Sequence, residues 1–135
     1  MSFNNVNVRV KIWLDQADCM LVGPGRMELL QKLDELGSLN KAAASLKMSY
    51  RAAWGMLKKV EETLGEDVLH RKRGRGGCSL TPFGKHLLKI YSKWQREVEE
   101  YALERAQKHF DWEIKGVRSP GKHSSKVTFS SLEKE

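Results

Sequence analysis

The stretch "KMSYRAAWGMLKKVE", Lys47 to Glu61, decides how this chain is read. Ser49 is a capping residue, because its hydroxyl can accept from the free N–H groups that open a helix. Ala53, Leu57, Val60 and Leu64 then recur at spacings of 4, 3 and 4, so they form one inward stripe. Gly65 stops the run. The other side opens with Tyr50, Arg51 and Trp54 and continues with Lys58 and Lys59; the acids Glu61 and Glu62 come only at the end. Such a helix suits the major groove of DNA, which is about 12 Å wide and admits one helix.

Working upstream, Ser38 is an N-cap for a short helix, "LNKAAASL", with Ala42, Ala43 and Leu46 as its inner side. Before it, Pro24 marks a helix start, and Met27 to Leu36 reads as a first helix ended by Gly37. Leu29, Leu33 and Leu36 share a face of that helix. Val6, Val8, Val10 and Ile12 alternate with polar residues or Trp13, a period of two that predicts a half-buried strand.

Downstream, "EDVLHRKRGRGGCSL" predicts a β-hairpin, with Val68 to Arg73 as one strand, Cys78 to Leu80 as its partner and a glycine-rich tip. Thr81 and Pro82 then start a long helix running to about Phe110. Its stripe is Phe83, Leu87, Tyr91, Trp94, Val98 and Tyr101. The predicted fold is α+β, mainly α: a winged helix-turn-helix with an N-terminal strand and a long C-terminal helix. Residues 1–112 are expected to form this domain and 113–135 a flexible, Ser- and Gly-rich tail.

Composition agrees. The chain has 135 residues and a net charge of +7, from 24 basic and 17 acidic side chains, which favours an anionic partner. From His70 through Arg96 there are eight Lys or Arg and no Asp or Glu, and four of the eight fall within Arg71 to Arg75. A solvated face usually mixes signs, so a hairpin of one sign beside the third helix predicts contact with nucleic-acid backbone or minor groove. Two distant cysteines, Cys19 and Cys78, make neither a disulfide framework nor a metal-ligand spacing. Without a long apolar run or a signal-peptide pattern, the expected location is the cytoplasm, at the nucleoid.

The expected DNA contacts are Ser38, Lys41, Ser49, Tyr50, Arg51, Trp54, Lys58 and Lys59 from the helices, with Arg71, Arg73 and Arg75 from the wing. Arg51 can fork onto a guanine, Tyr50 can meet a thymine methyl or a phosphate, and Lys58 lies two turns after Arg51 on the same side. Gly55 keeps that side low enough for close approach. Trp54 also reads as a packing residue between the third helix and the wing. "GRGRGG" lacks the ending of a phosphate loop, the four histidines are scattered, and no nucleophile, base and acid assemble. No enzyme, metal or cofactor is predicted. Cys78, near arginines, reads either as a redox-sensitive thiol or as an inert wing residue.

"GSLNKAAASLKMSYRAAWGMLKKVEETLG" and "LHRKRGRGGCSLTPFG" resemble the N-terminal DNA-binding domain of the ModE family, the molybdate-responsive transcriptional regulators, over roughly residues 5–110. The pieces that carry the likeness are "SYRAAW" and the wing leading into "LTPFG". LysR-type regulators share the Ala42–Ala43 pair and the Leu-Thr-Pro-x-Gly close and come second. The resemblance implies a homodimer on an inverted-repeat operator, paired through the helix at about 82–110 by Leu87, Tyr91, Trp94, Val98 and Tyr101, whose spacing suits a helical seam. ModE proteins carry molybdate-binding domains after this one; the residues left here are too few for one, so molybdate sensing by that route is not expected. The alternative reading is a winged helix that docks its basic face on another regulator or enzyme.

Overall fold

The computed structural model describes residues 3–71 and 77–116. In chain order the elements are β1 (Val6–Val8), β2 (Leu14–Gln16), β3 (Cys19–Val22), α1 (Pro24–Leu36), α2 (Leu39–Ser45), α3 (Tyr50–Leu64), β4 (Leu69–Arg71), β5 (Cys78–Leu80), α4 (Pro82–His109) and β6 (Ile114–Gly116). The strands form three separate pairs: β1 with β6 in parallel, and β2 with β3 and β4 with β5 antiparallel. The chain divides into two compact units, one of Ile12–Tyr91 and one of Met1–Lys11 with Ser92–Glu135. The fold is the expected α+β winged helix-turn-helix.

In the first unit, α1, α2 and α3 close around apolar side chains. Leu29, Leu30 and Leu33 of α1 are fully buried, as are Ala42 and Ala43 of α2 and Ala53, Leu57 and Val60 of α3. The small residues let the helices approach closely. Leu46 and Leu64 are only half-buried, and Leu36 is exposed, because each stands at the end of its helix where the neighbour no longer covers it. The caps form as their residue types dictate: Ser38 Oγ accepts from the Lys41 N–H at 3.3 Å, and Ser49 Oγ from the Ala52 N–H at 3.0 Å. Gly37 and Gly65 close α1 and α3 in the left-handed region, at φ 69° and 74°.

The turn between α2 and α3 has a less expected ending. Lys47, not a glycine, takes the left-handed position at φ 58°. Its N–H donates to Ala44 O at 3.1 Å and the Met48 N–H to Ala43 O at 3.0 Å, the paired bonds that close a helix C-terminus.

The hairpin β4–β5 is pinned at its root. Glu61 Oε2 accepts from the Val68 and Leu69 N–H groups at 2.9 and 3.3 Å. Thr81 Oγ1 donates to Asp67 O at 2.7 Å and accepts from the Gly84 N–H at 3.0 Å, while the Thr81 N–H reaches Val68 O at 3.0 Å. Gly84 has to be a glycine here: a Cβ would sit 2.6 Å from Val68 O. The "LTPFG" stretch is thus a joint between α4 and the wing.

Three features depart from the sequence reading. The predicted N-terminal strand is shorter: β1 ends at Val8, and Val10 O accepts from Gln95 Nε2 at 2.8 Å instead of extending a ladder. A second hairpin, β2–β3, follows, turning at Ala17 and Asp18 with both at positive φ. Ala-Asp carries none of the glycine that usually announces such a turn. Finally, β6 lies beyond residue 112, where a tail was expected to begin. Ile114 is buried, its carbonyl accepts from Gln107 Nε2 at 3.1 Å, and Trp112 stacks with Phe110 at 4.8 Å and meets Phe3 at 4.8 Å. Residues 117–135, most of the expected tail, lie outside the described residues.

Gly84→Ala should lower unfolding stability by about 1–3 kcal/mol, since the new methyl meets a backbone carbonyl that cannot swing aside. Urea denaturation of the two proteins measures it, and equal midpoints would refute the joint.

Candidate nucleic-acid interface

The buried stripe of α3 determines what its other side presents. With Ala53, Leu57 and Val60 turned inward, Tyr50, Arg51, Gly55, Lys58 and Lys59 are exposed, Tyr50 by 53%. Among the described residues, a Cβ added at Gly55 would meet nothing within 4 Å, so the helix surface at that position is open. Lys41, on α2, is exposed as well. Ser38 and Ser49 use a lone pair each on helix caps and thereby aim the N-termini of α2 and α3.

Trp54 is placed differently from its neighbours. It is half-buried, and two cations share its indole. The Arg71 guanidinium carbon lies 3.6 Å from the ring centroid, and Lys58 Nζ lies 5.6 Å away. Beside them a cleft of about 160 Å³ opens between the starts of α2 and α3 and the wing, lined by Leu39, Asn40, Tyr50, Trp54, Leu69, Arg71, Gly77 and Cys78. Trp54 thus meets the wing strand through a cation, Arg71. Arg71 closes the last described rung of the hairpin, opposite Cys78. Arg73 and Arg75 lie outside the described residues.

The sequence marks Glu61 only as an acid towards the end of α3. Its carboxylate holds the wing's backbone to α3. Sequence spacing shows no such bond, because Val68 and Leu69 come back to Glu61 only after the turn at Gly65.

Of the five expected pairing residues on α4, two are buried in the chain itself. Leu87 and Tyr91 are 9% and 6% exposed within the first unit, and Tyr91 donates its hydroxyl proton to Ile12 O at 2.7 Å. The stripe turns into the chain's own core there. Trp94 and Val98 are half-buried, and Tyr101 is 63% exposed.

Cys78 is buried, and burial pushes its thiol above the ordinary range; a backbone hydrogen bond at Leu39 and the charge of Arg71 pull the other way but less strongly. Because the thiolate is the reactive form, a thiol held this way favours the inert of the two readings of Cys78. Among the described residues no group of three or more His, Cys, Asp or Glu is placed to hold a metal ion, and no helix is long and apolar enough to cross a membrane.

Comparison with known proteins reaches the same segment. Residues 25–85 match the family model of the bacterial regulatory helix-turn-helix protein, lysR family. The transcriptional regulator ModE of Haemophilus influenzae is 33% identical over 98 residues, covering 70% of this chain and 38% of that protein. The molybdenum transport protein ModE of Herbaspirillum seropedicae is 36% identical over 77 residues, 54% of this chain and 28% of the relative. The chain thus spans well under half the length of these relatives. The BenM DNA-binding domain, crystallised with benA site 1 DNA, aligns at a TM-score of 0.53 and 21% identity, covering 64% of this chain and 96% of that one. The full-length regulator LysG of Corynebacterium glutamicum aligns at 0.53 and 20%, covering 64% and 29%. These structural likenesses speak for the fold.

Alkylation with iodoacetamide near neutral pH should modify exposed Cys19 first, and Cys78 only at higher pH or on unfolding, because the folded chain holds the Cys78 proton more tightly. Equal rates would contradict the burial. With its capped helices and pinned wing, the segment 25–85 is a winged helix-turn-helix, and it is this segment that matches the bacterial regulatory helix-turn-helix protein, lysR family.

Proposed function

We propose that this chain is a sequence-specific transcription regulator of the ModE type, binding double-stranded DNA as a homodimer. The observation that carries the reading is the uncovered outer side of α3, where Tyr50, Arg51, Gly55 and Lys58 face away from the protein's own core. In this reading α3 enters the major groove. Arg51 forks onto a guanine edge, Tyr50 meets a thymine methyl or a phosphate, and Lys41, Lys58 and Lys59 contact backbone phosphate. The N–H groups at the capped starts of α2 and α3 add a favourable field for phosphate. The wing lies on the neighbouring backbone or minor groove, with Arg73 and Arg75 assigned there by charge and position in the sequence.

Support comes from the names of the matched relatives, which are transcriptional regulators and molybdenum transport proteins, and from the BenM domain of like fold, crystallised with DNA. Self-association is assigned to Trp94, Val98 and Tyr101 on the Ser92–His109 part of α4, with Leu87 and Tyr91 removed from the seam. Two copies related by a two-fold axis predict an inverted-repeat site with half-sites one helical turn apart, about 10–10.5 base pairs. A chain of this kind works in the cytoplasm, at the nucleoid.

Binding of genomic fragments at two salt concentrations tests the reading. Log K should fall steeply with log salt, and a subset of fragments should stay bound where the rest dissociate. Arg51→Ala should cost about 1–3 kcal/mol of discrimination at one base pair. A flat salt response, or one protein partner co-purifying without any protection of DNA, would overturn it. Gly55→Ala separates folding from binding: stability should rise by about 1 kcal/mol, since the methyl meets open space, while duplex affinity falls. Unchanged affinity would place that side of α3 away from the groove.

A further inference from the structure

We propose that Trp54 is a positioning residue, and that Arg71, laid on its indole, clamps one phosphodiester group at the junction of α3 and the wing. The proposal rests on the duplex-binding reading above. Its starting point is geometry: a guanidinium carbon 3.6 Å from the ring centroid is at stacking distance. Stacking uses the flat face of the guanidinium. The five N–H donors lie in its plane and are not used by the indole. Among the described residues Arg71 makes no ion pair and no side-chain hydrogen bond, and it is exposed. The hydrogen-bonding edge is therefore preserved for something outside the chain.

Charge indicates what that is. Lys58 Nζ approaches the same ring at 5.6 Å, so two cations gather over one indole. Glu61, the acid nearest to Lys58 in sequence, is committed to the Val68 and Leu69 N–H groups, and among the described residues neither Lys58 nor Arg71 makes an ion pair. Two cations against one indole, neither with an acidic partner, favour an anion at that place. A phosphodiester carries a full negative charge and a base edge does not, so the pair favours backbone. Size agrees: the adjoining cleft is about 160 Å³, against about 300–1,000 Å³ for sites that enclose drug-sized molecules. Asn40 and Tyr50 line it and supply further polar groups from the starts of α2 and α3.

The indole's contribution is preorganisation. A free arginine loses its rotamer freedom when it binds, whereas one resting on a ring has already lost much of it. The contribution of Trp54 should then vanish when Arg71 is absent, which a merely structural tryptophan would not show.

A double-mutant cycle on the full chain tests this, with duplex affinity measured across a salt series. Arg71→Ala should weaken binding roughly tenfold for all sequences alike and reduce the salt slope by about 0.9. Trp54→Leu should lose several-fold, Trp54→Tyr should restore most of it, and the double variant should bind no worse than Arg71→Ala alone. Additive losses, or parental affinity for Trp54→Leu, would overturn the proposal while leaving the duplex reading intact. Should Trp54→Leu fail to fold, Arg71→Lys reads the same point without touching the core. It keeps the charge but loses the stacked fork, so several-fold weaker binding at an unchanged salt slope supports the clamp, and parental affinity refutes it. No duplex binding by the parent chain would sink both readings together.

Discussion

Everything that faces outward on α3 is held there by what faces inward. Ala53, Leu57 and Val60 are excluded from water, and with them Ala42 and Ala43 of α2. Burying a leucine and a valine side chain is worth about 1.5–3 kcal/mol each, and the alanines contribute by being small enough to let the helices touch. Rotating α3 to bury Arg51 or Lys58 would expose that stripe and desolvate a charge, so the helix has one orientation. The capping bonds at Ser38 and Ser49 and the left-handed turn at Lys47 then set where α2 stops and α3 begins.

The wing is an extension of the same constraint. Glu61 belongs to α3, yet its carboxylate grips the backbone of the strand that follows. Thr81 and Gly84 grip that stretch from the side of α4. The hairpin therefore leaves the core at a fixed angle, which brings Arg71 over Trp54 rather than into solvent at large. A basic loop on a floppy root would contribute charge alone. One rooted on both sides contributes charge at a defined place, and that is why the indole can act as a platform.

The second unit is organised by polar side chains that accept or donate across the chain's ends. Gln95 is buried and reaches both Val10 O and Glu99 Oε2, and Gln107 reaches Ile114 O. These amides let a three-residue strand from each end of the described chain pair in parallel, although so short a ladder has little stability of its own.

Sequence by itself determined the helices, their caps, the wing and the sidedness of α3, because each rests on local chemistry: a serine oxygen near free N–H groups, a glycine at positive φ, an apolar repeat matched to the helical turn. It also showed which side of α3 carries cations. It did not show the β2–β3 hairpin, whose Ala17–Asp18 turn has no glycine, or β6, whose partner lies more than a hundred residues away in sequence. Nor did it separate Leu87 and Tyr91, which the core absorbs, from Tyr101, which it leaves exposed, since all three share one helical spacing. Those outcomes depend on which segments meet in space. The same holds for the stacking of Arg71 on Trp54: periodicity says which way a side chain leaves its own helix, and only the packed chain says what it finds there.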